Sequence, residues 1–218
     1  MVKQFDLLVF DWDGTLIDSA AHISTSLQQA FRDLGLPVPS LAAARHVIGL
    51  GLEDAMTYLT PGLARDRYSE VADRYRIHFL AGDSGVSLFP AVAVGIQALH
   101  VDGYLMAVAT GKSRRGLDRA LLTTGLAPFF HASRCADEGF PKPHPDMLHT
   151  VMERLGTEPA RTLMIGDTTH DLQMAQNAGI AAVAVSYGAH ELDDLEGMKP
   201  LGCVASFEEL LQWLKKNG

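Results

Sequence analysis

The sequence predicts an α/β fold: a doubly wound, mainly parallel Rossmann-like sheet with a smaller all-α helical cap inserted after its first strand. Three observations point to it. Four runs of strand length, residues 6–10, 105–109, 162–166 and 181–185, are nearly continuous in apolar residues, as strands covered on both faces require. Helical patterns separate the later runs, and such strand–helix alternation builds parallel sheets with right-handed crossovers. Between the first two runs the rhythm breaks, and residues 15–84 carry helical patterns with no convincing strand.

The first strand, within "DLLVF", ends in Asp11-Trp12-Asp13-Gly14-Thr15. The first helix of the insertion has Ser19 as a plausible N-cap and Gly35 as its stop, with Pro37 and Pro39 just beyond. "LAAARHVIG", "LEDAMTYL" and "LARDRYSEVADRYRIHFLAG" continue the helical stretch. The expected division is a core of residues 1–14 and 85–218 with a cap of residues 15–84. The two crossings, at Gly14 and at "AGDSG" (81–85), are candidate hinges. Helices are expected at 91–101, 114–124, 144–155 and 168–178, each between or after strands.

With 218 residues the chain suits one domain, or one domain with an insertion. A formal net charge of -8 and the lack of any basic tract argue against nucleic acid or an anionic membrane as the main partner. The most apolar stretch, "AGIAAVAVSYGA", is too short to span a bilayer. Cys135 and Cys203 fit no disulfide framework or zinc spacing and read as ordinary thiols. With no signal-peptide pattern at the N-terminus, a reducing cytoplasm is the default.

Ligands of open α/β sheets bind outside the carboxyl ends of the strands. There the sequence places Asp11 and Asp13, then Thr110-Gly111-Lys112-Ser113, then Lys142 in "FPKPHPD", and Gly166-Asp167-Thr168-Thr169-His170-Asp171. Singly each has a plainer account. Asp13-Gly14 is a turn dipeptide, Asp167 could cap a helix, and the Thr110 segment lacks the first glycine of a P-loop, having Met106 there. Four such clusters at the strand ends of one sheet favour a common site.

The residue types suit phosphoryl transfer. Asp167 and Asp171 are four apart, hence on one face of a helix start, and with Asp11 they could hold a hard divalent cation such as Mg²⁺. Asp11 could then attack phosphorus, while Asp13 gives a proton to the leaving group and later takes one from water. Thr110 and Lys142 are suited to hold the transferring phosphoryl group.

Together the four segments resemble the haloacid dehalogenase superfamily of Mg²⁺-dependent phosphohydrolases. "DWDGTLIDS" looks like its first motif, Thr110 the second, Lys142 the third and "GDTTHD" the fourth. The helical insertion is similar to the cap of the subgroup that contains phosphoglycolate phosphatase and β-phosphoglucomutase. The resemblance implies a nucleophile at Asp11 and an acid/base at Asp13. Mg²⁺ would be held by the Asp11 carboxylate, the Asp13 main-chain carbonyl and Asp167, with Asp171 orienting a metal-bound water. It also implies main-chain N–H contacts to phosphate near Asp13, Gly14 and Gly111. Asp13 argues against dehalogenase activity, since those members lack the second aspartate. Two departures bear on substrate: T-G-K at 110–112 where phosphoglycolate phosphatases often read T-N-K, and "LFPAV" (88–92) where many relatives have a Pro-Gly turn.

The cap is expected to decide specificity by closing over the site. "IGLGLEDAM" (48–56) resembles the subgroup's substrate loop, making Gly49, Gly51 and Glu53 candidates; the stretch equally fits an ordinary helix–helix connection with a solvated glutamate. Arg45 and Arg74 could reach a substrate carboxylate, although most helical arginines are surface charges. His144 and His170 read as bystanders. The expected activity is a Mg²⁺-dependent phosphatase acting on a small-molecule phosphate monoester through a phospho-aspartate, phosphoglycolate being one candidate. A phosphomutase or pyrophosphatase shares the same motifs, and a non-catalytic phospho-acceptor module is the alternative from another class.

Overall fold

A computed structural model describes residues 3–82 and 86–218. Its sheet has six strands, β1 (Leu7–Phe10), β2 (Leu105–Thr110), β3 (Ala132–Cys135), β4 (Thr162–Gly166), β5 (Ala181–Val185) and β6 (Cys203–Val204). The order is β3-β2-β1-β4-β5-β6, and all neighbours pair in parallel. Ten α-helices are described: α1 (Ala20–Asp33), α2 (Leu41–His46), α3 (Leu52–Leu59), α4 (Tyr68–Gly82), α5 (Val92–Val101), α6 (Arg114–Thr124), α7 (Asp146–Leu155), α8 (Thr169–Asn177), α9 (Leu192–Gly197) and α10 (Phe207–Asn217). None is long and apolar enough to cross a membrane.

Strand side chains alternate between faces, and the two faces build separate cores. Leu8, Phe10, Met106, Val108, Leu163, Ile165, Val183 and Val185 meet residues of α5, α6 and α10. Leu7, Val9, Ala107, Ala109, Met164, Ala182 and Ala184 meet α7, α8 and α9. Both faces are thus dry, which explains why the strands read as continuous apolar runs rather than as alternation.

Helices α1 to α4 share a core of their own, in which Leu27, Phe31, Ala44, Met56, Tyr68 and Val71 are buried together. The first of these helices starts at Ala20, with Ser19 in the N-cap position. Gly14, at φ 83, turns the chain back so that its N–H donates to the Ile17 carbonyl at 2.9 Å, and Leu16 and Ile17 pack in the sheet core. Of the expected return crossing at 81–85, residues 83–85 lie outside the described residues. Beyond them the returning chain pairs with the outgoing one: Asp18 N–H donates to Ser87 O at 2.8 Å and Phe89 N–H to Leu16 O at 3.0 Å.

Ala91, in the "LFPAV" turn, stands just before α5 at φ 62. A left-handed non-glycine residue costs about 1–2 kcal/mol, more than glycine loses in unfolded-state entropy, ~0.5–1 kcal/mol. Ala91→Gly is therefore expected to stabilise the protein by about 0.5 kcal/mol. Denaturant unfolding checks it, and a destabilised variant would contradict the strain assignment.

Candidate active site

The parallel order brings the expected segments to one edge. β1 lies between β2 and β4, so Asp11, one residue past β1, stands between Thr110, the last residue of β2, and Asp167, just past β4. Lys142 arrives from the connection between β3 and α7, over a cis Lys142–Pro143 peptide. All four side chains are buried.

Lys142 Nζ lies 2.6 Å from Asp11 Oδ1 and 2.6 Å from Asp171 Oδ1. Burial alone would lower the lysine pKa, but the two carboxylates outweigh it and raise it above the ordinary value. Asp11 is raised well above the usual carboxylate range by burial, with Lys142 opposing and the charges of Asp171 and Asp167 adding to the rise. Asp167 is pushed up to about 7 by burial and then by Asp171. Two donors oppose that rise, the Ala189 N–H to Oδ2 at 2.7 Å and the Thr15 hydroxyl to Oδ1 at 2.7 Å. Asp171 takes part in the capping box that starts α8, its Oδ2 accepting from the Thr168 N–H and hydroxyl at 3.1 and 2.7 Å.

These residues fit a hard cation. Oxygens of Asp11, Asp167 and Asp171 lie within 4.8 Å of one another, and Asp11 Oδ2 is buried with no hydrogen-bond partner. Three carboxylates face one ammonium, so a divalent ion would offset the burial and the mutual repulsion that raise the pKa values of Asp11 and Asp167. Glycines make the clustering possible. A Cβ on Gly14 would stand 2.1 Å from Asp167 Oδ2, and one on Gly188 2.3 Å from the same atom.

Asp13 points elsewhere. Its Oδ1 accepts from the Ser19 hydroxyl at 2.7 Å and lies 2.9 Å from Lys112 Nζ. The backbone between the two aspartates thus separates them into two environments, one with Lys142 and one with Lys112. Sequence reasoning did not find Lys112 or Ser19 as site residues. The signal available was position: Lys112 is two residues beyond a strand end, and the helix-start serine spends its hydroxyl on Asp13 rather than on the helix, which has no side-chain cap.

Several expected residues stand otherwise than expected. The Gly14 N–H is committed to Ile17 O, so Gly14 serves through its φ and bare Cα rather than as a phosphate donor. Arg45 is bonded within the chain. Its guanidinium donates to the Gly188 and Ala189 carbonyls at 2.7 and 3.1 Å, in the segment that follows β5. Glu53 is exposed and paired with Arg65, and Arg74 is half-exposed beside Asp33 at 3.8 Å. His170 is part of the seam between α2 and the sheet: His170 Nε2 and His190 Nε2 both donate to the His46 carbonyl, at 2.7 and 3.1 Å. Burial lowers both imidazole pKa values, His190 to about 4. His144 stacks on Phe140 at 4.5 Å, away from this seam. Of the cap candidates, Gly49 and Gly51 do lie over the strand ends, against Gly111 and Pro141 respectively.

Known proteins share this sequence and architecture. The family model of haloacid dehalogenase-like hydrolases matches residues 8–185. The "Probable phosphatase IndB" of Dickeya dadantii is 38% identical, over 94% of this chain and 91% of its own. A phosphoglycolate phosphatase of Vibrio parahaemolyticus is 29% identical, over 96% of each chain. The solved structure of a haloacid dehalogenase-like family hydrolase from Streptococcus pneumoniae superposes with a TM-score of 0.82 at 26% identity, covering 96% of this chain and 98% of its own.

Proposed function

The chain belongs to the haloacid dehalogenase-like hydrolases, and from that premise we propose that it is a Mg²⁺-dependent phosphatase of small-molecule phosphate monoesters working through a phospho-aspartate at Asp11. The observation that carries the reading is Asp11 itself. It is a buried carboxylate at the central strand end, with one oxygen on Lys142 and the other unpartnered. The relatives named as phosphatases, one of them a phosphoglycolate phosphatase, support the substrate class, and a two-carbon phosphate ester is a first candidate.

Asp11 attacks phosphorus as the bond to the leaving oxygen breaks, and Asp13 supplies the proton that oxygen needs. Water then attacks the phospho-aspartate, Asp13 takes its proton, and inorganic phosphate leaves. Lys142 and Thr110 bind phosphoryl oxygens in both steps. Asp11, Asp167 and the Asp13 main-chain carbonyl would hold Mg²⁺, with Asp171 alongside. Bound there, the ion supplies positive charge against the phosphoryl oxygens. The N–H groups of Asp13 and Gly111 are the candidate main-chain donors. A phosphomutase cap would have to hold a second phosphate. Arg45, the cation of segment 45–55, is spent on Gly188 and Ala189, which favours transfer to water.

A panel of metabolite phosphates assayed for Mg²⁺-dependent phosphate release tests the proposal. Asp13→Asn should lower turnover by roughly 10²–10⁴-fold with Mg²⁺ binding retained. If that variant mainly weakened Mg²⁺ binding, the roles of the two aspartates would be misassigned. Wild type that releases no phosphate from any ester would end the phosphatase reading.

The cluster also makes metal binding pH-dependent. The Asp167 pKa is about 7 against 3.8 for the free side chain, so ionisation opposes folding in the metal-free protein, whose stability should fall as pH rises through that interval. Mg²⁺ needs the ionised carboxylates and should reverse the trend. At 100 times its Kd it contributes about 2.7 kcal/mol, roughly 5–10 °C in melting temperature for a chain of this size. That shift is expected at pH 8 and should shrink strongly at pH 5. Equal shifts at both pH values would mean that the ion binds elsewhere.

A further inference from the structure

Asp11, Thr110 and Asp167 stand at strand ends, where the sheet holds them. Lys142 has no such support, because it lies in the connection between β3, which ends at Cys135, and α7, which starts at Asp146. Its Nζ nevertheless sits 2.6 Å from both Asp11 and Asp171. The hydrogen bonds of the connection show how it is held. Cys135 pairs in register with Thr110, and just past it the chain folds back on itself. The Glu138 N–H donates to the Cys135 carbonyl at 3.1 Å, and the Cys135 N–H donates to Glu138 Oε2 at 2.8 Å.

Arg114, the first residue of α6, grips this turn. Its Nε and Nη2 donate to the two carboxylate oxygens of Glu138 at 3.1 and 2.8 Å, a two-pronged geometry that a guanidinium provides and an ammonium does not. Nη1 and Nη2 also reach Ser133 in β3, at the hydroxyl (3.0 Å) and the carbonyl (3.3 Å), and Nη1 reaches Asp118 at 3.1 Å. The bonds from Arg114 hold the Glu138 carboxyl below its ordinary pKa, with burial opposing them. Two main-chain donors tie the same segments: the Arg114 N–H to Asp137 Oδ1 at 2.8 Å, and the Ala136 N–H to the Lys112 carbonyl at 3.1 Å. Beyond Glu138, a Cβ on Gly139 would collide with Asp146 Oδ2 and Arg134 Nη2, which pair with each other at 3.2 Å. Only Phe140 and Pro141 then separate this fastened stretch from Lys142.

We propose that Arg114 is a positioning residue for Lys142: its fork on Glu138 ties the loop after Thr110 to the turn that leads to Lys142, so that the hydroxyl and the ammonium that bind the phosphoryl group keep a fixed spacing. The proposal rests on the phosphatase reading. Arg114 acts through Glu138 and the chain, and a loosened turn would let the ammonium drift from the place the phosphoryl group needs it.

Arg114→Ala should lower kcat/KM for a two-carbon phosphate ester by roughly tenfold or more, the scale on which a small misplacement slows turnover. Inhibition by inorganic phosphate, which Lys142 would also bind, should weaken by a similar factor. Arg114→Lys should recover little, because it restores the charge without the fork. The deciding measurement is a cycle with Lys142→Ala. In that background Arg114→Ala should change kcat/KM by no more than about twofold. The proposal is overturned by a loss as large as in wild type, by an unchanged inhibition constant for phosphate, or by full activity of Arg114→Lys. If Arg114→Ala does not fold, Glu138→Gln enters the same cycle, since it keeps the shape of the side chain and removes the charge that the fork holds. Wild type that hydrolyses no ester would defeat the phosphatase reading instead. The cycle read as melting temperatures in chelator would then judge the link, and strictly additive effects would overturn it.

Discussion

Asp11→Asn is expected to lower Mg²⁺-dependent phosphate release by roughly 10⁴-fold or more, the scale on which loss of a covalent nucleophile acts. Asparagine keeps the shape but presents a neutral amide, which neither forms a stable bond to phosphorus nor draws a cation. The fold should survive the change. Lys142 keeps Asp171 at 2.6 Å, and a carboxylate whose charge burial and the neighbouring aspartates disfavour is removed. In the presence of a chelator the variant should therefore melt close to wild type. Assay of phosphate release alongside a thermal melt separates the two effects. Residual turnover above about 1% of wild type would sink the nucleophile assignment.

Lys142→Ala should cost both stability and activity. The ammonium is fully buried and is the cation that Asp11 and Asp171 share. Breaking a buried ion pair by removing one partner leaves uncompensated charge and costs about 3–5 kcal/mol. For a chain of this size that is roughly 6–20 °C in melting temperature. Added Mg²⁺ should restore part of the loss, because it brings positive charge to the same carboxylates. Turnover should stay low even then, since Lys142 also faces the transferring phosphoryl group in the proposed mechanism. A variant that melts like wild type in chelator would show that the pairs contribute nothing to folding. One that turns over normally in Mg²⁺ would remove Lys142 from the chemistry.

The legible part of the fold was the part with a strong local signal. β1, β2, β4 and β5 are buried on both faces, and their apolar runs match the observed strands to within a residue or so. The pattern did not reveal β3, which reads Ala-Ser-Arg-Cys and is only partly buried at the sheet edge, or β6, which has two residues. Helix α10 was missed although its signals are present: Ser206 caps it, Glu208 and Glu209 fill its first turn, and Lys215 and Lys216 its last. The first helix begins where its signals put it, with Ser19 just before Ala20, whereas Leu16 and Ile17 ahead of it carry no mark that tells sheet core from helix core.

At the site, the sequence by itself determined which residues stand at the strand ends. Strand termini are local features, and a parallel sheet sends every such terminus to the same edge, so Asp11, Thr110 and Asp167 converge whatever the rest of the chain does. Only the tertiary structure decided how the charges pair. Lys142 meets Asp11 across 131 positions and Arg45 meets Ala189 across 144. Lys112 goes to Asp13, and Gly49 settles on Gly111. No periodicity encodes these contacts. They follow from how the helical segment seats on the loops, which depends on shape and burial summed over distant parts of the chain.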